Sequence, residues 1–429
     1  MESTAIHAAK QILFIVGIIL LAGSFSGILA QKFKVPDVVV FLLIGIGLGP
    51  ELAGVIDVRA DSTINQLILI FGSSYILFDG GAGLRLKVLK EVWITIVIIS
   101  TVGVLITTAI AGLAALQFLG MPLITALLLG STIASTDPAT LVPVFKQVRI
   151  KDRVAQTVMS ESAFNDAMGA IVTFTIMGVA LGTGGPFSLG AATFSLVSNA
   201  LIGVLIGGVL GYAAAFLIAH EKFGFLLEYA PLVTLMAVVG AYMSAESMHA
   251  SGFMAVFVFG IMLGNKDTFG FTMEEQEQEK LEDFVLTTSL IMRMFIFILL
   301  GSQVNFALIG KYLWGGIALV LVFMFIARPV TVFCCALPDR RTRWSLKEML
   351  FMSWTRETGV IPGALAGMLL GMKVPGGEII ASVTFITILL TILIQATTTR
   401  WLAGKLGLLL DEPQIPLRSF NGNDLPTPE

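Results

Sequence analysis

Thirteen apolar segments, most of them long enough for a membrane-spanning helix, follow one another across residues 11–403 with short polar connectors between them. A helix needs about 20 apolar residues to cross the hydrocarbon core of a bilayer. The segments fall at about 11–31, 36–52, 63–80, 91–117, 121–145, 153–181, 196–220, 226–246, 249–264, 281–302, 306–337, 346–371 and 377–403, with 36–52 and 249–264 the short ones. Lipid offers the backbone no hydrogen-bond partners, so such segments satisfy themselves as helices. The expectation is an all-α polytopic membrane protein. Composition agrees: 13% of the 429 residues are charged, against about 25% in soluble domains. There is no basic stripe for nucleic acid. The first segment is too long for a signal-peptide core and lacks a small-residue cleavage site behind it, so it reads as a retained helix.

The charges orient the bundle. Of the 26 Lys and Arg residues, 19 fall on one side of this arrangement, and only Lys10, Arg59, Lys311 and Lys373 fall on the other. The positive-inside rule then places the N-terminus outside and the C-terminus in the cytoplasm of a cell-membrane protein. An odd number of spans requires the same outcome. Arg293, Arg328 and Arg356 lie within spans and need partners. The acidic stretch 265–283 reads as a solvated cytoplasmic loop, and the Pro- and Gly-containing tail 411–429 as disordered.

An odd count also allows two inverted six-helix repeats, with the segment at about 196–220 as the linker. The fifth segment of each half carries a helix breaker in mid-membrane. The first is Thr136-Asp137-Pro138; the second is Arg356-Glu357-Thr358-Gly359, followed by Pro362-Gly363. Paired interruptions at corresponding positions point to a binding site at the midplane. Pro138 removes a backbone donor, which frees a carbonyl near Ile133 or Ala134, and the Thr136 carbonyl is available as well. The C-terminal end of a half-helix adds partial negative charge. Such a break suits a hard cation with oxygen ligands.

The acids complete the pattern. A carboxylate at bilayer depth costs roughly 2.5–3.5 kcal/mol on insertion scales and marks an ion or proton path by default. Asp166 sits in Ser160-Glu161-Ser162-Ala163-Phe164-Asn165-Asp166, inside the sixth segment; Asp79 closes the third segment, and Asp137 lies in the first break. Ser162 and Asp166 share one helix face, and Glu161 and Asn165 the neighbouring one. Burial favours the protonated form of Asp166 and a bound cation favours the ionised form. Proton and cation therefore compete for one group, which is the logic of antiport. Asn165 cannot titrate, so the pair has one exchanging acid, consistent with one proton per cation and no net charge movement; Asp79 and Asp137 are further acids able to titrate. Arg328 is the expected partner of Glu161, in a structural ion pair. Arg356 is expected to pair with Asp137 or to compensate the second break.

The remaining features read as packing. Cys334 and Cys335 are adjacent core residues; His7, His220 and His249 are too scattered to hold a metal; the Gly45-Ile46-Gly47-Leu48-Gly49 run lacks the Lys of a phosphate loop. No cofactor is expected.

Thr136-Asp137-Pro138 followed by Glu161-Ser162-x-x-Asn165-Asp166 resembles the electroneutral sodium/proton exchanger type of monovalent cation:proton antiporters, in the bacterial and archaeal branch with an Asn-Asp pair. Ile76-Leu77-Phe78-Asp79-Gly80 is similar to that branch's acidic end of the third helix, and Ala327-Arg328-Pro329 to its buried arginine. The resemblance implies thirteen helices in two inverted repeats with crossing broken helices. It implies a homodimer whose dimerisation part is about 11–80 and 226–302 and whose moving core is about 91–181 and 306–403. It implies Na+ or K+ held by Asp166, Ser162 and the Thr136 carbonyl, with Asp79 acting through water and Asn165 orienting Glu161. One departure stands out: the family pattern Trp-x-x-x-Arg-Gly meets Thr358 here where its arginine belongs, with Arg356-Glu357 just before it.

Sodium is the favoured cation, and potassium the alternative, since both take the same ligands. Two readings of other classes are weaker. An intramembrane aspartyl protease needs two carboxylates sharing a proton and has no use for Ser162, Asn165 or two registered breaks. A passive channel does not call for a closed midplane site between inverted repeats.

Overall fold

A computed structural model describes residues 4–33, 36–136, 150–182, 189–220 and 224–409. Every one of the thirteen expected segments contains a described helix. They are α1 (Thr4–Phe33), α2 (Asp37–Leu48), α3 (Thr63–Ala82), α4 (Leu86–Leu119), α5 (Leu123–Thr132), α6 (Asp152–Ala180), α7 (Leu189–Ala219), α8 (Ala230–Ser247), α9 (Gly252–Gly264), α10 (Glu275–Ser302), α11 (Phe306–Val322), α12 (Arg328–Ala336), α13 (Leu346–Trp354), α14 (Val360–Gly371), α15 (Gly377–Thr391) and α16 (Thr397–Leu406). α11 runs into α12, and α15 into α16, through single π turns at Phe323–Ala327 and Ile392–Ala396. Among the described residues no β-strand is present, only an isolated bridge between Ile150 and Leu409. The expected tail lies outside the described residues, as do Asp137 and Pro138.

Local signals set the ends. Ser62, Ser251 and Asn305 each accept from the backbone N–H three residues on, and Ser345 forms a full capping box with Glu348. α5 and α14 are short because each is one half of an interrupted span. The other half of the second interrupted span is α13; the chain directly after Thr136 lies outside the described residues.

Packing relies on small residues, as it does where lipid supplies no hydrophobic drive. On α7, Gly203, Gly207 and Gly211 lie one turn apart and admit the backbone or side chains of Ser251, Ala255 and Met262. Between α3 and α9, a Cβ added at Gly81, Gly260 or Gly264 would run into the backbone of the facing helix, at Phe257, Phe78 and Ala82 respectively. α2 and α10 meet in the same way at Gly45 and Gly301. α7 thus packs closely on α9, while α5 lies against α4 and α6.

Each end of the bundle is tied by polar contacts. At the basic end, Arg153 at the start of α6 pairs with Glu348 of α13 and covers the Trp344 ring at 5.1 Å. Trp344 Nε1 donates to Thr95 of α4, whose hydroxyl donates to Asp339. Burial raises the Asp339 carboxyl, but hydrogen bonds from Thr95, Thr342 and Arg341 outweigh it and hold the group below the usual carboxylate range. At the other end, Asp61 before α3 meets Lys373 between α14 and α15 at 3.0 Å and Arg59 at 2.9 Å. Hydrogen bonds from Lys373 and Arg59 hold the Asp61 carboxyl low. Such a tie is present at neutral pH and is lost only as pH falls through the lowered folded-state value.

The α3–α9 contact gives a direct test. Gly260→Ala should lower stability by about 1–3 kcal/mol, because the added methyl meets backbone that cannot yield. Gly240→Ala on α8, where no heavy atom lies within 4 Å, should leave it unchanged or slightly raised. Thermal unfolding in detergent, followed by the loss of monodisperse protein, separates the two; equal melting points would contradict the close crossing.

Candidate functional site

α5 ends at Thr132, and the chain unwinds through Ile133–Thr136. This stretch lies against α6, which contributes residues from two adjoining faces. The Thr136 N–H donates to Asn165 Oδ1 at 3.0 Å, and Asn165 Nδ2 donates to Thr136 Oγ1 at 2.8 Å. Thr136 Oγ1 donates to Ser162 Oγ at 2.9 Å, and Ser162 Oγ in turn donates to the Thr136 carbonyl at 2.7 Å. One unwound residue is therefore held by both α6 faces at once. Thr136, Ser162, Asn165 and Asp166 are all buried, Asp166 at 7% exposure. Gly169, one turn beyond Asn165, leaves room for Ser135 to sit on the helix.

Glu161 joins this cluster to the second break. Asn165 Nδ2 also donates to Glu161 Oε1 at 2.6 Å. Arg356 Nη2 approaches the same Oε1 at 2.9 Å, off the axis of its N–H bonds, as an ion pair between two buried side chains. The expected pairing of Glu161 with Arg328 is thus corrected, because Arg356 takes the carboxylate. The reason is geometric. The second break reaches α6 side-on between α13 and α14 and brings its arginine directly onto Glu161. Arg328 is drawn instead to the first break, where Nη1 donates to the Ala134 carbonyl at 3.2 Å. Its guanidinium stacks on Phe323 at 4.2 Å. Of the two carbonyls expected to be freed by the first break, Ala134 is therefore held by Arg328, and Thr136 by Ser162. A carbonyl oxygen has a second lone pair, so Thr136 retains acceptor capacity.

The second break spans Thr355–Gly359 and is also satisfied by side chains. Gln395 Nε2 donates to the Trp354 carbonyl at 2.7 Å, and the Thr358 N–H donates to Thr391 Oγ1 at 3.1 Å. Trp354 Nε1 donates to Thr398 at 2.9 Å. Thr391, Gln395 and Thr398 flank or occupy the second π turn. Irregular backbone at membrane depth is tolerated where protein groups satisfy it in this way. Glu357 and Thr358 are fully buried here.

Asp79, near the end of α3, lies within electrostatic reach of Arg293 of α10. A Cβ added at its neighbour Gly80 would lie 3.7 Å from the Ala163 methyl, next to Ser162, so the end of α3 abuts the site helix. Three apolar clusters converge on the same region. Ala134 and Ala163 belong to the first, Ile133 and Ala327 to the second, and Val158 and Met352 to the third. The polar site is buried where they meet.

This constellation places a carboxylate, a hydroxyl and a carbonyl at an unwound helix end, braced by two arginines. A model of the family described as sodium/hydrogen exchanger, transmembrane, matches residues 16–405. The chain belongs to this family. It is an all-helical, multi-pass membrane protein. The Na(+)/H(+) antiporter 1 of Methanocaldococcus jannaschii is 32% identical over 418 residues, covering 91% of this chain and 94% of its own. The K(+)/H(+) antiporter NhaP of Alkalimonas amylolytica is 28% identical and is covered over 67% of its length. The structure of the sodium proton antiporter MjNhaP1 from Methanocaldococcus jannaschii at pH 8 superposes with a TM-score of 0.78 at 28% identity, covering 92% of this chain and all of that one.

Of the sequence-derived site residues in this exchanger-family chain, Thr136, Ser162, Asn165 and Glu161 form one network, and Arg356 joins it. Asp166 lies on the same helix face as Ser162, and Asp79 lies at the adjoining end of α3. Thr391 and Gln395, which hold the second break, were not anticipated. Their signal is the polar series Thr387, Thr391 and Gln395 at four-residue spacing within an apolar segment.

Breaking a buried pair by removing one partner costs about 3–5 kcal/mol. Glu161→Ala and Arg356→Ala should each destabilise the protein on that scale. The double variant should recover much of the loss, and the coupling of Glu161 to Arg356 should exceed its coupling to Arg328. Thermal melting of the two double-mutant cycles in detergent gives both coupling energies. A larger Glu161–Arg328 term would reject the assignment.

Proposed function

We propose that this protein is a secondary antiporter that exchanges a monovalent cation, with sodium favoured, for a proton across the cell membrane, one for one and without net charge movement. It is a transporter and not an enzyme. The carrying observation is the cluster itself: a buried carboxylate on the helix face of Ser162, with that serine bonded to the carbonyl of an unwound residue in the first break. Asp166, Ser162 and Thr136 would ligate the cation. Asn165 holds Thr136 and Glu161 in register, and Asp79 would assist through water.

Charge counting supports the stoichiometry. Around the two breaks and the end of α3, the described residues Arg293, Arg328 and Arg356 stand against Asp79, Glu161, Glu357 and Asp166. Three positive and four negative groups leave one negative charge, which we assign to Asp166. One cation or one proton neutralises it, so each half of the cycle carries a neutral site. That avoids moving a net charge through hydrocarbon, which is costly.

The N-terminus would lie outside and the C-terminus in the cytoplasm, as the distribution of Lys and Arg favours. The protein would act as a homodimer, with α1–α3 and α8–α10 as the scaffold and the two broken spans in a moving core. In a single chain, α1 exposes Leu13, Phe14, Leu21, Phe25 and Ile28, an apolar face suited to lipid or to a second copy. Potassium in place of sodium is the second reading. It is favoured by the similarity to a K(+)/H(+) antiporter over 92% of this chain and 67% of that relative, and the oxygen ligands accept either ion.

Purified protein in liposomes with an imposed pH gradient should move protons on addition of sodium or potassium, unaffected by a clamp on the membrane potential. Asp166→Asn should abolish that flux while the protein stays folded. Cation flux independent of the pH gradient would indicate a channel, and retained exchange in Asp166→Asn would remove Asp166 from the central role.

A further inference from the structure

We infer that Glu357 is a positioning residue of the cation site, one that tunes cation affinity by cancelling the charge of Arg328 without touching the cation. The inference rests on the antiporter reading above. Glu357 lies in the unwound Thr355–Gly359 stretch with no exposed surface. The preceding residue, Arg356, is 2.9 Å from Glu161. Arg328, equally buried, lies within electrostatic reach of Arg356, Glu161 and Glu357 together.

These four residues come from α6, from the second break and from the first position of α12. They carry two charges of each sign, so the group is neutral as a unit. Without Glu357 the balance changes. Glu161 alone would face two arginines, leaving a surplus positive charge in a region of low dielectric. That charge would sit at the worst place for cation binding. Arg328 is hydrogen-bonded to the Ala134 carbonyl at 3.2 Å, two residues from Thr136, whose carbonyl is a proposed ligand. A unit charge about one helix diameter away, at an effective dielectric of about 20, changes the affinity for a monovalent ion by roughly tenfold or more.

The sequence of the second break fits this role. Where the family pattern has an arginine, this chain has Thr358, whose N–H is spent on Thr391. The arginine that pairs with Glu161 lies two residues earlier and is followed at once by a carboxylate. The displaced cation and its compensating anion thus arrive as one dipeptide. Glu357 is the second charge that lets two arginines brace the two breaks while the site itself stays attractive to a cation.

The test is cation-dependent proton flux in proteoliposomes, read as half-saturation concentration and maximal rate separately. Glu357→Gln should raise the half-saturation concentration for sodium, or for potassium if that is the substrate, roughly tenfold with little change in maximal rate. Glu357→Asp, which keeps the charge, should stay near wild type. Arg328→Gln combined with Glu357→Gln should return the half-saturation concentration most of the way, because neutrality is restored and glutamine can still donate to Ala134. A merely structural role predicts no such rescue. An unchanged half-saturation concentration in folded Glu357→Gln, or a folded double variant no better than the single, overturns the inference. If Glu357→Gln does not fold, the neutral double variant should fold and transport, since a buried neutral pair can replace an ion pair; failure of both also overturns it. Wild-type protein without any cation-dependent proton flux would instead count against the antiporter reading itself.

Discussion

The Glu161 carboxylate is the point on which the two halves of the site depend. It accepts from Asn165, which grips Thr136 in the first break, and it pairs with Arg356 in the second. An unwound helix in a membrane has free backbone groups, each costing several kcal/mol if left to lipid. The protein can keep two such breaks because α6 offers a charged and amide-bearing face to both. Removing the carboxylate would leave Arg356 without its counter-charge and Asn165 without one of its acceptors. Thr136 would keep its bonds to Ser162 and Asn165, but the first break would lose its link through Asn165 to the second.

The two breaks are stabilised differently, and the difference fits an asymmetry of role. In the first, the Thr136 backbone is held by Ser162 and Asn165, side chains of the proposed binding helix, so ligand geometry and backbone satisfaction share the same atoms. In the second, the freed groups are served by Thr391 and Gln395, beside a π turn remote from the proposed ligands. π turns inside α-helices are frequent at functional positions. Here the extra residue in the turn rotates Gln395 onto the Trp354 carbonyl. The second break is thereby a brace carrying Arg356 and Glu357, while on the proposed function the first would be the surface that the cation meets.

The spans, both interruptions and the carboxylates of the sixth segment are legible in the sequence. Each is a local statement about chemistry out of place: a polar residue or a proline in an apolar run needs a reason, and the run itself shows where. The identity of the partner of Glu161 is not legible in the same way. Arg328 and Arg356 are both lone cations within spans, and only the approach of the second break to α6 decides between them. Residue spacing along one helix carries no information about that approach. The same limit hid Gln395 and Thr391, whose polarity is visible but whose partners are backbone atoms 41 and 33 positions away in the chain. The close crossings of α3 with α9 and α2 with α10 are half legible: glycines invite contact, but a stripe of them does not name the facing helix.

Charge balance connects the fold to the coupling. A rigid core that carries a site between two sides of a membrane is penalised for any net charge it carries with it. The arginines bracing the breaks would impose such a penalty if each lacked an acid, and the acids near them would impose it if each lacked an arginine. In the proposed reading, Arg293 would offset Asp79, Arg328 and Arg356 would offset Glu161 and Glu357, and one exchangeable carboxylate would remain. A core in that condition crosses readily with a proton or a cation aboard and reluctantly with neither. On the proposed function, the reluctance of the empty site to cross would tie the movement of one ion to the return of the other.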